Sequence, residues 1–147
     1  VDLPRRLILA QAAKPGPTND GATLRPLLDQ ARRLAPIRCV LADAEFDSEL
    51  NHTFIRQTVG AMSIIPAKRG KRSWHLHGVR AQMRADFPRT PYRQRALIES
   101  VFSATKRKIS ARASGRSAAT QQRQALLLGV TFNLYRLYAP SVITGCS

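Results

Sequence analysis

At 147 residues and a formal net charge of +15, the chain has room for one domain with a modest core, and its charge points to a polyanionic partner, nucleic acid before an anionic membrane surface. No apolar run reaches the ~20 residues of a membrane span. Its two cysteines, Cys39 and Cys146, offer neither a metal-ligand spacing nor a disulfide framework, so the sequence reads as a soluble protein of a reducing cytoplasm.

The first readable element, "RRLILAQAA" (5–13), looks like a strand that needs partners on both sides, so the chain is expected to begin in mid-sheet. "KPGPTNDG" (14–21) is loop chemistry, with Thr18, Asn19 or Asp20 available to cap the next helix. Leu24, Leu27, Leu28, Ala31 and Leu34 recur at helical spacing, and Pro26 is tolerable only in the first turn, which allows a start as late as Thr23. "IRCVLAD" (37–43) is a short apolar strand ending in an acid. "SELNHTFIRQTV" (48–59) returns to helical spacing through Leu50, Phe54, Ile55 and Val59, with Asp47 and Glu49 as ordinary first-turn acids. "AMSIIPA" (61–67) is a strand stopped by Pro66. The alternation of strands and helices implies an α/β unit with a parallel sheet. "KRGKRSWHLHGVR" (68–80) is basic and irregular. Two helices come after it, separated by "ASGRS" (113–117). The second, from about Ser117 to Tyr138, is amphipathic through Leu126, Val130, Leu134 and Leu137. Residues 1–139 are expected to form the domain and 140–147 a loose tail.

From Lys68 to Arg136 the chain holds sixteen Lys or Arg against two acids, Asp86 and Glu99. In "TPYRQRALIESVFSATKRKI", Thr90 as N-cap and Pro91 at the first helical position open a helix. On it Tyr92, Arg95, Glu99 and Lys106 fall in a stripe about 60° wide. Leu97, Ile98, Val101, Phe102 and Ile109 take the adjacent arc, the face that packs on the sheet. The stripe therefore lies at the edge of the core. Glu99 reads either as an i,i+4 partner of Arg95 on a solvated face or as a metal ligand. Asp43, at the carboxyl end of its strand, reads either as a helix cap or as a ligand where open α/β sheets place their sites. Two such carboxylates could hold divalent cations, and a pair of ions is the standard device for phosphodiester displacement.

Tyr92, two residues, Arg95, three residues, Glu99, six residues, Lys106 matches the Tyr-Arg-Glu-Lys signature of DDE transposases from bacterial insertion sequences. "VLADAEFDSELNHTFIRQTVGAMSIIPAKRG" resembles the segment around their second catalytic aspartate, and the similarity runs from about Leu7 to about Leu137. The resemblance implies a ribonuclease H-like mixed sheet with flanking helices. It implies hydrolysis at transposon ends, then attack of the exposed 3′-hydroxyl on target DNA, with Mg²⁺ or Mn²⁺ as cofactor. Asp43 and Glu99 would be the catalytic, metal-holding acids, and Tyr92, Arg95 and Lys106 would contact DNA near the cleaved phosphate. Lys68, Arg69, Lys71 and Arg72 would track the backbone, an inference from charge. Glu45 and Phe46 stand where many relatives have Gly and Tyr. The family's first aspartate has no good counterpart, since Asp2 is followed by too little sheet. The first catalytic strand and any upstream DNA-binding domain are thus expected to be missing, leaving a carboxy-terminal catalytic fragment that is inactive alone.

Partners implied are DNA, both transposon ends and target, and a second protomer, either a copy of this chain or an intact transposase with which the fragment could interfere. The location implied is the bacterial cytoplasm, beside the nucleoid. The competing reading is a non-catalytic basic DNA- or RNA-binding module, which cationic surface alone permits. His75 and His77 read as surface residues beside Trp74, and His52 as a helix residue with no special role. No phosphate-binding glycine loop and no nucleophilic-serine pattern occurs.

Overall fold

In the computed structural model, residues 1–13, 20–68, 76–109 and 117–138 are described. They form a mixed α/β arrangement around a short parallel sheet. Helix α1 (Leu24–Arg32) begins where the Pro26 argument allows, with Thr23 at its N-cap. It buries Leu24, Leu28 and Ala31, while Leu34, beyond the helix end, is 68% exposed. Strand β1 (Cys39–Leu41) and strand β2 (Met62–Ile64) pair in parallel, Val40 opposite Ser63. Between them run helix α2 (Glu49–Thr53) and a wider π-helical segment, Phe54–Val59. Gly60 ends that segment in the left-handed region (φ 73°), where a side chain is disfavoured, and Ala61 then turns directly into β2.

The core is enclosed by this strand–helix–strand unit. Leu24 and Leu28 from α1, Val40 and Ala42 from β1 and its exit, Ile55, Ala61 and Ile65 form one apolar cluster, with Ile37, Phe46, Phe54 and Val59 against it. The buried face of α2 departs from its apolar spacing. Asn51 and His52 are buried while Leu50 is 59% exposed. Asn51 can be buried because its amide donates to Gly21 O (3.2 Å) and Phe46 O (2.8 Å), and its own N–H is capped by Ser48.

Past the sheet come helices α3 (Gly78–Ala85), α4 (Arg89–Tyr92), α5 (Ala96–Ile109) and α6 (Ala118–Tyr138), with a 3₁₀ turn over Arg93–Arg95 joining α4 to α5. Helix α3 occupies part of the stretch expected to be irregular.

Three expectations are corrected. The segment 5–13 forms no strand: Asp2 and Leu7 make a single antiparallel bridge, and the extended chain beyond it lies against α6. There the Asn133 amide takes the place of a neighbouring strand, accepting from Ile8 N–H and donating to Ile8 O, both at 2.8 Å. Helix α6 buries Gly129 and Phe132, whereas Leu126, Val130, Leu134 and Leu137, the face read as amphipathic, are exposed. Helix α4 starts at Arg89 with Pro88 at its N-cap, so Thr90 is not the cap, and Pro91 sits inside the first turn, where its lacking N–H costs nothing. Among the described residues no helix is long and apolar enough to cross a membrane.

Candidate functional site

Asp43 lies just past the carboxyl end of β1 in extended conformation (φ −72°, ψ 161°) and leads into a 3₁₀ turn, Ala44–Phe46. It stands at the N-cap of that turn, yet its side chain makes no cap hydrogen bond. The carboxylate is instead turned to the connection between α4 and α5. Arg95 Nη1 donates to Asp43 Oδ2 at 2.8 Å, and Arg95 Nη2 donates to Glu99 Oε1 at 3.4 Å. One guanidinium thus joins two acids that are 56 positions apart in the sequence.

The helices explain the geometry. The 3₁₀ turn ends at Arg95, and the first turn of α5 then sets Glu99 one helical turn ahead on the same side. Val101, 2% exposed, anchors α5. Tyr92 closes the other side: the Arg95 guanidinium lies 5.8 Å from its ring centroid, and Phe87 meets the ring edge-on at 4.9 Å. Partial burial pushes the Tyr92 hydroxyl above its ordinary pKa, with the Asp43 charge adding to the rise and Arg95 opposing it. Tyr92 is therefore a neutral hydrogen-bonding group at neutral pH.

Tyr92, Arg95, Glu99 and Asp43 are accordingly brought together. Lys68 is exposed, 21 positions after Asp47, whose carboxylate accepts from its backbone N–H at 2.9 Å. The Lys106 side chain, Arg69, Lys71 and Arg72 lie outside the described residues, as do His75 and Cys146. His77 is exposed at the N-cap of α3, and Glu45 is exposed on the turn after Asp43.

Asp43 and Glu99 are hard-oxygen donors converging on one cation, which is the chemistry a divalent metal requires. Among the described residues no group of three or more His, Cys, Asp or Glu side chains is placed to hold a metal ion. The donor type of Asp43 and Glu99 suits a divalent metal, and two carboxylates alone would be only part of a ligand set.

Sequence reasoning misses a second polar centre. The Asp47 carboxylate is buried and accepts from Arg80 Nε (3.0 Å) and Nη2 (2.8 Å) as well as from Lys68 N–H. Glu49 accepts from Val79 N–H (3.1 Å) and Arg80 N–H (3.4 Å), capping α3 from another helix. His52 Nδ1 bonds Ser63 Oγ at 2.8 Å, and Arg56 Nε donates to the same hydroxyl at 3.0 Å. These residues tie α2, β2 and α3 into one frame. No local pattern could reveal them, because Arg80 lies 33 positions from Asp47.

No curated protein and no solved structure matches the chain significantly. The transposase DDE domain family does match, over residues 1–134. That span takes in β1, β2, the Asp43 turn and the α4–α5 connection with Glu99, and the chain belongs to the transposase DDE domain family.

Proposed function

We propose that this chain belongs to the catalytic domain of a bacterial insertion-sequence transposase with a ribonuclease H-like fold, cleaving transposon ends and joining them to target DNA. The observation that carries this reading is the convergence of Asp43 and Glu99 on one guanidinium, at the carboxyl end of a parallel strand. Family membership brings DNA as the partner and divalent metal use. The short parallel sheet and its flanking helices are compatible with the proposed fold.

Asp43 and Glu99 would hold the metal. Mg²⁺ or Mn²⁺ there supplies charge neutralisation for the attacking and leaving oxygens of an in-line displacement, with two ions in the full reaction. Asp43, at the exit of a core-anchored strand, fixes one side of the site. Glu99, on the first turn of α5, fixes the other. Arg95 and Tyr92 orient the scissile phosphate, Arg95 by paired N–H donors and Tyr92 by its neutral hydroxyl. Lys106, Lys68, Arg69, Lys71 and Arg72 hold the flanking phosphates. In cleavage, a water oxygen bonds to phosphorus as the bond to the 3′-oxygen breaks, leaving a 3′-hydroxyl. In joining, the oxygen of that hydroxyl bonds to a target phosphorus and gives up its proton as the target's own bond to its 3′-oxygen breaks, leaving a 3′-hydroxyl on the target strand. A second protomer would hold the other transposon end.

The test is Mn²⁺-dependent nicking of supercoiled and transposon-end DNA by the chain, beside Asp43→Asn and Glu99→Gln, with DNA binding recorded in the same samples. Nicking that both substitutions abolish while binding persists is the result this reading requires, and it would overturn the expectation, drawn from the lack of a good first aspartate, that the chain is inactive alone. Binding without nicking by the unaltered chain would favour the second reading, a DNA-binding module that does not cut, for which the net charge of +15 is the supporting observation.

A further inference from the structure

Arg95 is the least exposed member of the triplet it forms with the two acids. Its side chain is 25% exposed, against 50% for Asp43 and 69% for Glu99. It approaches the carboxylates from the protein side, over the face of Tyr92. Its planar fork spends one terminal nitrogen on Asp43 and the other on Glu99. A divalent cation held by both acids would lie within a few ångström of that guanidinium, where like charges repel. The bridge and a shared metal are therefore alternatives.

We infer that Arg95 is the resident cation of this site: it holds Asp43 and Glu99 together until a divalent metal takes the carboxylates, and the guanidinium so released is passed to a DNA phosphate. The inference rests on the reading of Asp43 and Glu99 as metal ligands. It assigns Arg95 a role beyond phosphate contact. The side chain keeps two like charges from splaying the site apart while no metal is bound, and its two partners in turn, carboxylate and phosphate, link metal loading to substrate binding. By reciprocity, a phosphate that draws Arg95 off the acids favours metal binding by the same factor.

The test measures Mn²⁺ binding to the full chain without DNA, by calorimetry and by the paramagnetic resonance of free Mn²⁺. Four proteins are compared: the unaltered chain, Arg95→Gln, Arg93→Gln, and the double substitution Asp43→Asn with Glu99→Gln. Arg93 is exposed on the same turn. Its loss removes the same charge, so it reports the effect of field alone. Arg95→Gln is expected to bind Mn²⁺ roughly two- to fivefold more tightly than Arg93→Gln, a modest factor because exposed ion pairs are weak. Equal or weaker binding by Arg95→Gln overturns the inference and leaves the metal site standing. If the unaltered chain binds Mn²⁺ no better than the double substitution, the metal-ligand reading fails and the inference with it. Should Arg95→Gln lose its helical circular dichroism, Arg95→Lys is compared with Arg93→Lys instead: both keep the charge, and only the first removes the planar fork, so tighter Mn²⁺ binding by Arg95→Lys is expected and equal or weaker binding overturns the inference.

Discussion

Asp47 is an acid buried beside a buried histidine, and its ionisation decides how the molecule responds to acid. Burial works to raise its pKa, but the Arg80 hydrogen bonds, the Lys68 N–H and the charges of Arg80 and His52 outweigh it and hold the carboxyl below the ordinary value. His52 is likewise lowered, chiefly by burial, with Arg56 adding to the fall and Asp47 and Glu49 opposing it. Its Nε2 has no hydrogen-bond partner and lies 3.6 Å from Asp47 Oδ1. Both groups bind protons more readily in the unfolded chain, so stability must fall as pH falls. His52 acts first, from its ordinary value of about 6.5 downward. Asp47 acts next, below about 3.9. Urea midpoints taken from pH 8 to pH 4 should decline through the histidine range, and a flat or rising profile would rule the account out. At pH 7, Asp47→Asn should cost about 1–3 kcal/mol, since it leaves Arg80 without its charged partner. The Arg80 side chain keeps 27% exposure, so water covers part of that loss.

Among the elements, helix α3 depends most on residues distant in sequence. It begins at Gly78 in the left-handed region (φ 56°), and a Cβ there would overlap the Glu49 carboxylate that caps the helix. Gly78→Ala should therefore lower the urea midpoint through both backbone strain, about 1–2 kcal/mol, and the clash. Glu49→Ala removes the cap and the clash partner together. A double-mutant cycle should give a combined loss smaller than the sum by about 0.5 kcal/mol or more. Simple additivity would mean that the close approach has no energetic weight. This dependence explains why α3 was illegible in the sequence, while α1 was not. Leu24, Leu28 and the Pro26 limit announce α1 locally, whereas the start of α3 is set by a side chain 29 positions away. The extended segment before α1 misleads for a similar reason. Its apolar run has strand character, but Asn133 of α6 satisfies the backbone that a neighbouring strand would have paired.

At the scale of the whole molecule, the site was more legible than the frame that holds it. Tyr92, Arg95 and Glu99 share a helical stripe, and Asp43 ends a strand, so period and topology bring them into view. That Arg95 would serve both acids emerges only from the meeting of the β1 exit with the α4–α5 turn. Net charge was legible from composition alone, and it sets the last prediction. Duplex DNA releases about 0.9 counterions for each phosphate neutralised, so the logarithm of affinity should fall linearly and steeply with the logarithm of salt concentration. Lys68 isolates one such contact. Its side chain is exposed, while its backbone N–H is held by Asp47. Lys68→Ala therefore keeps the buried frame and removes one cation. The salt slope should become shallower by about one unit, with affinity reduced alike on every sequence and the urea midpoint unchanged. An unchanged slope would place Lys68 outside the DNA path, and a lowered midpoint would show that its side chain supports the fold.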